Sequence, residues 1–359
     1  MEDINAIVAG WLRDVAFVQK SPQSRWGYKR AASALMGLDV PIHTLLNDDL
    51  TLQKIPNIGP ASTRVILEVL ATGASATVEQ AVEASPNRAD VLRRRGLRSN
   101  FLSRAAALAA IKARKPYAPS LGDYRADLQM HSDWSDGSQT LDDIFETGLS
   151  RGYSHSAVTD HSYGLPIAGG LPMALVIQQH QEIDALNAKY AGRFRLLKGI
   201  EANVRADGSV DMTRGELAQF KIVVAAPHSA LRSSNDQTAR MVAAVQTPGV
   251  HILGHPRGRM YGSRPGVTAN WEQVFLAAAR FGVAIELDGD PSRQDLDYDL
   301  ARRAVSSGCL FAIDSDAHAT GQLEWQPLGC NRAAECEVPL DRVINTWAVD
   351  DLLRWVQAA

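Results

Sequence analysis

The sequence predicts an α/β protein in which a barrel of seven parallel β-strands with intervening helices follows a small all-helical domain. Three observations indicate this organisation. Beyond residue 116, short apolar runs alternate with amphipathic helical stretches, a pattern typical of parallel α/β folds. Several of these runs end in a histidine or a carboxylate. The first 115 residues instead show helical spacing of apolar positions. Their net charge is positive, whereas that of the remaining residues is negative.

The N-terminal domain is predicted to span residues 1–115. Helical periodicity covers residues 4–20 and 26–37, then Ala61 to Leu70, and most of 89–115. Gly73 stands where a helix C-terminal cap is expected. Pro116, Pro119 and Gly122 mark a linker into the barrel, which is predicted to occupy residues 116–359.

The barrel strands are predicted from apolar runs that are short enough for buried parallel strands. The runs lie near residues 124–130, 156–160, 194–200, 220–226, 250–254, 283–289 and 310–314. Segments such as Leu171 to Tyr190 and Trp271 to Phe281 supply helices between them. Because the C-terminal ends of barrel strands converge on one face, polar residues at those ends are expected to meet there.

Five histidines occupy such strand ends: His131, His161, His228, His255 and His318. A single buried histidine is more often a hydrogen-bonded core residue than a ligand, but five in the same phase as carboxylates favour a metal site. Gln129 and His131, and again Asp316 and His318, are two residues apart, which places both side chains of a pair on one strand face. Nitrogen and oxygen ligands without thiolate suit Mn, Zn or Fe.

Composition narrows the class of protein further. Residues 1–115 contain 16 Lys and Arg against 10 Asp and Glu, a net charge of +6, whereas the remainder carries −9. This division fits a polyanion-binding module joined to a cation-binding one, with ordinary surface solubility as the alternative for the basic half. Three cysteines without metal spacing argue against a disulfide framework. With no signal peptide or membrane span in the sequence, a soluble cytoplasmic protein without membrane contact is expected.

The segments from about residue 120 to residue 358 resemble the PHP (polymerase and histidinol phosphatase) domain, most closely the version in bacterial family X DNA polymerases. The resemblance includes Gly254-His-Pro-Arg-Gly-Arg259, Ala284-Ile-Glu-Leu-Asp-Gly-Asp-Pro291 and Ile344-Asn-Thr-Trp347. It implies a distorted seven-stranded β/α barrel with up to three metal ions. The implied ligands are Gln129, His131, Glu201 and Asp316 for the first ion, Glu201, His228 and His255 for the second, and Asp136, His161 and His318 for the third.

One position departs from the family pattern, which opens with His-x-His: here the first histidine is replaced by Gln129. An amide oxygen is a weaker ligand than imidazole for these metals. The first ion is therefore expected to bind most weakly.

Ile55-Pro-Asn-Ile-Gly-Pro60 followed by a helix resembles a helix-hairpin-helix, in which backbone N–H groups of a tight turn face a nucleic-acid phosphate. A plain helix connector is the alternative. The neighbouring residues also resemble the small N-terminal domain of family X polymerases. DNA contacts are expected at Ile55, Asn57, Gly59 and Arg64. The position of the lyase lysine in some relatives is Val65 here, and about forty residues between the two modules contain no paired aspartates of a polymerase palm.

These features predict a metal-dependent phosphoesterase that acts on DNA ends, as a 3′-to-5′ exonuclease or a 3′-phosphatase, with metal-activated water as the nucleophile. Four of the ligands are expected to serve catalysis: His131, Glu201, Asp316 and His318. Substrate phosphate is expected near Arg232, Arg257 and Arg259, for which ordinary salt bridges are an equal alternative. The alternative functions are a small-molecule phosphatase of the histidinol-phosphatase type and a non-catalytic DNA-binding accessory protein. The native metal and the oligomeric state stay open.

Overall fold

A computed structural model describes residues 3–358, so Met1 and Glu2, which enter the expectation that no signal peptide is present, lie outside the described residues. The chain divides into two compact units. One comprises Met1–Lys112 with Tyr261–Ser263, and the other comprises Ala113–Met260 with Arg264–Ala359.

The N-terminal unit is helical. Its helices are Ile4–Val18 (α1), Pro22–Met36 (α2), Pro60–Thr72 (α3), Ala76–Glu83 (α4), Arg88–Gly96 (α5) and Arg104–Lys112 (α6). Local signals set several ends: Ser21 caps α2 with Pro22 in its first turn, and Gly73 ends α3 in the left-handed conformation at φ 77°, as predicted. Helix α4 had no sequence prediction, although Ser75 caps its first turn. The apolar core gathers α1 to α5 around Leu12, Leu35 and Ile66.

The residues before α3 correct the expected helix-hairpin-helix in one respect. Among the described residues, a short 3-10 helix at Ile42–Leu45 and an antiparallel bridge between Leu46 and Leu52 stand where a helix before the turn is expected. The turn itself places Asn57 in the left-handed region at φ 66°. The structure therefore shows the turn and the following helix, without a regular helix leading into the turn.

The second unit is built on a parallel sheet with neighbouring strands in chain order. Its strands are His155–Val158 (β1), Arg195–Asn203 (β2), Ile222–Ala226 (β3), Ile252–Leu253 (β4), Ala284–Glu286 (β5) and Phe311–Ala312 (β6). The helices of the unit are Leu141–Ser150 (α7), Met173–Lys189 (α8), Arg214–Leu217 (α9), Thr238–Val245 (α10), Trp271–Phe281 (α11), Tyr298–Ser306 (α12), Gln326–Glu335 (α13) and Val349–Ala358 (α14). The consecutive order matches an α/β fold with a curled sheet.

The described residues contain six strands, where the sequence predicts seven. The predicted first strand, residues 124–130, is extended but irregular. It hydrogen-bonds to β1 through the carbonyl of Asp127, which accepts from the Ala157 amide at 3.0 Å. On its other side the Leu128 amide donates to the Asp314 carboxylate at 2.7 Å, so a side chain replaces a neighbouring backbone carbonyl. That replacement interrupts the regular ladder and explains why no strand forms here.

No single helix among residues 3–358 has both the length and the hydropathy needed to cross a membrane. Helices α3 and α4 meet that test only when taken together, across a bend of 111°.

Candidate metal centre

Glu201 lies at the centre of the site. It sits near the C-terminal end of β2 and is 1% exposed. Its Oε1 atom lies 3.0 Å from His228 Nε2 and 3.1 Å from His255 Nε2, while its Oε2 atom lies 3.1 Å from His131 Nε2 and 3.7 Å from His161 Nδ1. One carboxylate thus faces four imidazoles that come from four separate loops.

A second group of donors surrounds Asp136. Its Oδ1 atom lies 3.8 Å from His131 Nδ1, 3.6 Å from His161 Nε2 and 3.4 Å from His318 Nε2. The tight turn that carries Asp136 requires Gly137, because a Cβ atom there would stand 2.4 Å from the carbonyl oxygen of His131. The site therefore depends on a glycine that has no role in ligation.

The loop before Asp136 is held by Asp160. The buried Asp160 carboxylate accepts from the Ser132 amide at 2.8 Å, from the Ser132 and Ser135 hydroxyls, and from Gln179 Nε2 at 2.5 Å. Asp160 therefore anchors the loop that presents Asp136.

A third group consists of His131, Glu201 and Asp316, all of them buried. His131 Nε2 lies 3.0 Å from Asp316 Oδ1. Asp316 has a positive φ of 50°, which turns the chain sharply after β6. Gln129 reaches the same place, and its Nε2 donates to Glu201 Oε2 at 3.1 Å.

All nine sequence-predicted ligand positions converge on this one region, with a small change in grouping. The ligand atoms of His131, Asp136, His161 and His318 lie within 4.8 Å of one another, as do those of His161, Glu201 and His228. His131 and His161 therefore each face two groups. His255 stays attached to the centre through Glu201.

The donor separations fit shared metal ions better than direct hydrogen bonds. Ligand atoms about 2.1 Å from one tetrahedral ion are roughly 3.4 Å apart, close to the separations of 3.4, 3.6 and 3.8 Å around Asp136. Buried ring nitrogens without hydrogen-bond partners, such as Nδ1 of His131 and of His161, point the same way. The donor set therefore suits a site with several metal ions.

Hydrogen bonds behind the rings prepare two histidines for ligation. His228 Nδ1 lies 3.2 Å from Asn203 Oδ1, and His318 Nδ1 lies 2.8 Å from the Asp316 carbonyl. Both oxygens accept, so each Nδ1 carries the proton and each Nε2 presents a lone pair to the site. Asn203 was not predicted, although its position two residues after Glu201 on β2 places it on the same strand face.

Electrostatics at three other residues of the site also suit cation binding. Burial alone raises the pKa of Glu201 and of Asp136, but nearby histidines outweigh it and hold both pKa values well below their usual range. Burial and the charge of Arg293 lower the pKa of His255 to about 4. The two carboxylates are therefore ionised and His255 is neutral near neutral pH, the forms that bind a cation.

Arg293 is the main site residue that the sequence analysis missed. It follows β5 in the loop that begins at Asp288 and forms an ion pair with Asp316. Asp288 Oδ2 lies 3.7 Å from its guanidinium and is buried. Burial alone would lower the pKa of Arg293, but Asp288, Asp290 and Glu201 raise it. The sequence offered one signal for Arg293, namely its position two residues after the family-like segment Ala284 to Pro291.

The three predicted phosphate contacts have different surroundings. Arg257 forms an ion pair with Asp297 and donates to the Pro265 carbonyl at 2.7 Å. Arg259 is 6% exposed and lies 3.7 Å from the same Asp297. Arg232 is exposed. The contacts of Arg257 and Arg259 match the alternative of structural salt bridges.

The predicted DNA contacts in the helical unit also separate. Ile55 is 9% exposed and belongs to the apolar core, so its side chain is turned away from solvent. Asn57, Gly59 and Arg64 are exposed. With Lys54, Tyr28 and Arg30, the turn lines an open cavity of about 500 Å³. Val65 is buried in the core, which leaves no nucleophile at that position.

Fold and donor set together define a class of site: a centre for several metal ions on an α/β fold. Relatives of known name are an exonuclease and phosphatases. The chain is 34% identical over 233 residues to the DNA polymerase/3′-5′ exonuclease PolX of Bacillus subtilis (strain 168), a match that covers 65% of this chain and 41% of that protein. The chain therefore spans about two fifths of the length of this relative.

One shorter relative is matched over most of its length. A probable phosphatase of Serratia proteamaculans (strain 568) is 28% identical over 240 residues, which is 62% of this chain and 90% of that protein. Among solved structures, histidinol phosphate phosphatase from Lactococcus lactis subsp. lactis Il1403, complexed with zinc, L-histidinol and phosphate, has a TM-score of 0.42 and 16% identity over 55% of this chain and 87% of that chain.

No family model matches the chain. The sequence relatives nevertheless support the resemblance noted from the strand-end residues: the chain is homologous to PolX and to the probable phosphatases.

Proposed function

We propose that the protein hydrolyses phosphate esters at DNA ends, as a 3′-to-5′ exonuclease or a 3′-phosphatase. The observation that carries the proposal is the convergence of histidines and carboxylates on both oxygens of the buried Glu201. Such a centre has more donors than one ion needs, and hydrolysis of phosphate esters is a chemistry that several adjacent ions support.

The ligands assigned to this centre are those predicted from the sequence: Gln129, His131, Asp136, His161, Glu201, His228, His255, Asp316 and His318. Mn, Zn or Fe ions bound there would supply an activated water and neutralise phosphate charge. Glu201 holds two groups of donors together through its separate oxygens. His318, whose side chain is 30% exposed, and Asp136, at 34%, form the side of the centre that is open to substrate.

Two independent observations favour DNA over other phosphate esters as the proposed substrate. The relative PolX is named for a 3′-5′ exonuclease activity. The helical unit presents a turn with exposed Asn57 and Gly59 beside Lys54 and Arg30, which suits a phosphate backbone. We assign residues 1–115 to DNA binding and residues 116–359 to catalysis. We further assign the irregular segment 124–130 to the position of the seventh strand in a distorted barrel.

A small-molecule phosphatase is the second candidate. The probable phosphatase of Serratia proteamaculans, matched over 90% of its length, supports it. In that case the helical unit has a role other than substrate binding. We place the chain in a reducing compartment, the cytoplasm, because Cys309, Cys330 and Cys336 are buried and unpaired.

One experiment separates the candidates. Full-length protein loaded with Mn or Zn is assayed on a 5′-labelled oligonucleotide with a 3′-hydroxyl end, on the same oligonucleotide with a 3′-phosphate, and on small phosphomonoesters. We expect the DNA substrates to have the higher kcat/KM. A preference for small phosphomonoesters would support the second candidate, and inactivity on all substrates with metal bound would support a non-catalytic accessory protein.

A further inference from the structure

The third donor group, His131, Glu201 and Asp316, differs from the other two in its fourth member. Where an imidazole would complete it, Gln129 donates through Nε2 to Glu201 Oε2 at 3.1 Å. The amide thus satisfies the oxygen that a metal ion would bind. Gln129 Oε1 is buried and has no hydrogen-bond partner. Gln129 therefore supplies no imidazole nitrogen to this group. Its amide also hydrogen-bonds to Glu201 Oε2, an atom that would otherwise be available to a metal ion.

A positive charge already stands at the same group. The Arg293 guanidinium forms an ion pair with Asp316 Oδ2, on the carboxylate whose Oδ1 lies 3.0 Å from His131 Nε2. It also lies 3.7 Å from Asp288 and 3.9 Å from Asp290. A metal ion bound through Asp316 would have to share that carboxylate with a cation at close range, where the repulsion is poorly screened.

The backbone fixes Arg293 in this place. Its amide donates to the Asp290 carbonyl at 2.9 Å, and its carbonyl accepts from Arg259 Nε at 3.0 Å. The Asp290 amide in turn donates to Asp288 Oδ1 at 2.6 Å. Arg293 is thus held by a hydrogen-bonded loop, and only 19% of its side chain is exposed. Arg259 contributes to this arrangement from behind.

We propose that the guanidinium of Arg293 takes the place of one metal ion and neutralises Asp316. The chain then holds ions at two of the three donor groups: His131, Asp136, His161 and His318, and His161, Glu201 and His228. This inference rests on the proposed metal centre and narrows its composition: of the nine positions assigned there, Gln129 and Asp316 then bind no ion. The centre then carries positive charge of two kinds, and the fixed one cannot be removed by a chelator.

The test is metal stoichiometry of the full chain. Protein reconstituted with zinc and dialysed against metal-free buffer is analysed by mass spectrometry for ions per chain. We expect about two ions in the wild type and about three in Arg293→Met, which keeps much of the side-chain volume and loses the charge. Arg293→Lys is the matched control, and it is expected to stay near two because it retains a cation.

A second measurement does not depend on how Arg293 variants fold. Anomalous scattering at the zinc edge from wild-type crystals is expected to show no peak among His131, Glu201 and Asp316.

Gln129→His alone is expected to gain little metal, whereas Gln129→His combined with Arg293→Met is expected to bind the additional ion most tightly. This non-additivity would show that Arg293, and not the missing imidazole alone, excludes the ion.

The outcomes are distinguishable. A zinc peak at His131, Glu201 and Asp316 in the wild type, or equal stoichiometry in the wild type and in a folded Arg293→Met, would overturn this inference and leave the metal centre intact. A wild type that binds no zinc at all would instead overturn the proposed metal centre itself.

Discussion

The two units of the chain present phosphate-binding chemistry in different ways. In the α/β unit, donors from residues 129 to 318 meet around Glu201, so the centre depends on loops that are far apart in the chain. In the helical unit, the exposed turn and its basic neighbours lie mostly between Lys54 and Arg64. A metal centre needs long-range convergence of buried groups, whereas a phosphate-binding surface needs one turn and a few charges.

The two units also differ in what a substitution should change. Loss of a buried ligand leaves several others without their cation and should abolish chemistry. Loss of a surface contact should weaken binding alone, since the rest of the chain is untouched. Four substitutions test this difference, from the largest expected effect to the smallest.

Glu201→Ala should have the largest effect, because both carboxylate oxygens are lost from two donor groups at once. We expect metal affinity and phosphoesterase activity to fall by more than about 100-fold, measured by zinc titration and by hydrolysis of labelled DNA. Glu272→Ala, an exposed glutamate on α11, is the control and should behave as the wild type. Full metal content in a folded Glu201→Ala would show that Glu201 is not a bridging ligand.

Asn203→Leu should have a smaller effect on the same centre. The Asn203 amide oxygen accepts from His228 Nδ1 at 3.2 Å and fixes the ring tautomer. Its loss leaves the ligand present but less well oriented, and we expect metal affinity to fall by about 10-fold. Asn203→Asp retains an acceptor and should recover most of that loss. An unchanged zinc affinity in Asn203→Leu would mean that the ring is oriented by its packing alone.

Gly59→Trp should act on the helical unit only. Its φ is −96° and no atom lies within 4 Å of the position of an added Cβ, so the fold should accept the side chain. The indole would project beside the exposed turn and obstruct the approach of a phosphate backbone. We expect the Kd for DNA to rise by roughly 3- to 10-fold with no change in kcat on a small phosphoester. Gly59→Ala is the matched control for the loss of glycine, and equal DNA affinity in the wild type and Gly59→Trp would place the DNA surface elsewhere.

Lys54→Gln should have the smallest effect. Lys54 is exposed and lines the cavity beside the turn. Removal of one phosphate contact is expected to weaken binding to all DNA sequences alike and to lower the slope of log K against log salt by about one. Fluorescence anisotropy with two unrelated oligonucleotides over a salt series measures both. A sequence-dependent change, or an unchanged slope, would argue against a backbone contact.

The sequence predicted the secondary structure of the α/β unit well wherever a strand has regular backbone partners. The runs near residues 156–160, 194–200 and 220–226 correspond to β1, β2 and β3 within a few residues. The run at 124–130 has the same apolar composition but is not a regular strand. Two of its amides, those of Leu128 and Met130, donate to the side chains of Asp314 and Thr159 rather than to backbone carbonyls, which no period of apolar residues reveals.

The site was predictable to the extent that it follows strand ends. The spacing of two residues along a strand predicted that Gln129 lies beside His131 and that Asp316 lies beside His318. The structure brings all four side chains to the same centre. Arg293 was not predictable in this way because it lies in an irregular loop seven residues beyond Glu286. Ile55 shows the opposite error: the motif suggested an outward contact, but apolar packing turns the side chain into the core.

The sequence by itself determined the fold class, the order of the strands and the residue types that can bind metal, because these follow from local apolar periodicity and from ligand chemistry. Only the tertiary structure decided which donors share a neighbour, that Gln129 donates to Glu201, and that Arg293 pairs with Asp316. The donor groups join residues up to 187 positions apart, between His131 and His318. Separations of that size are closed by the packing of the whole unit, so no local pattern encodes them.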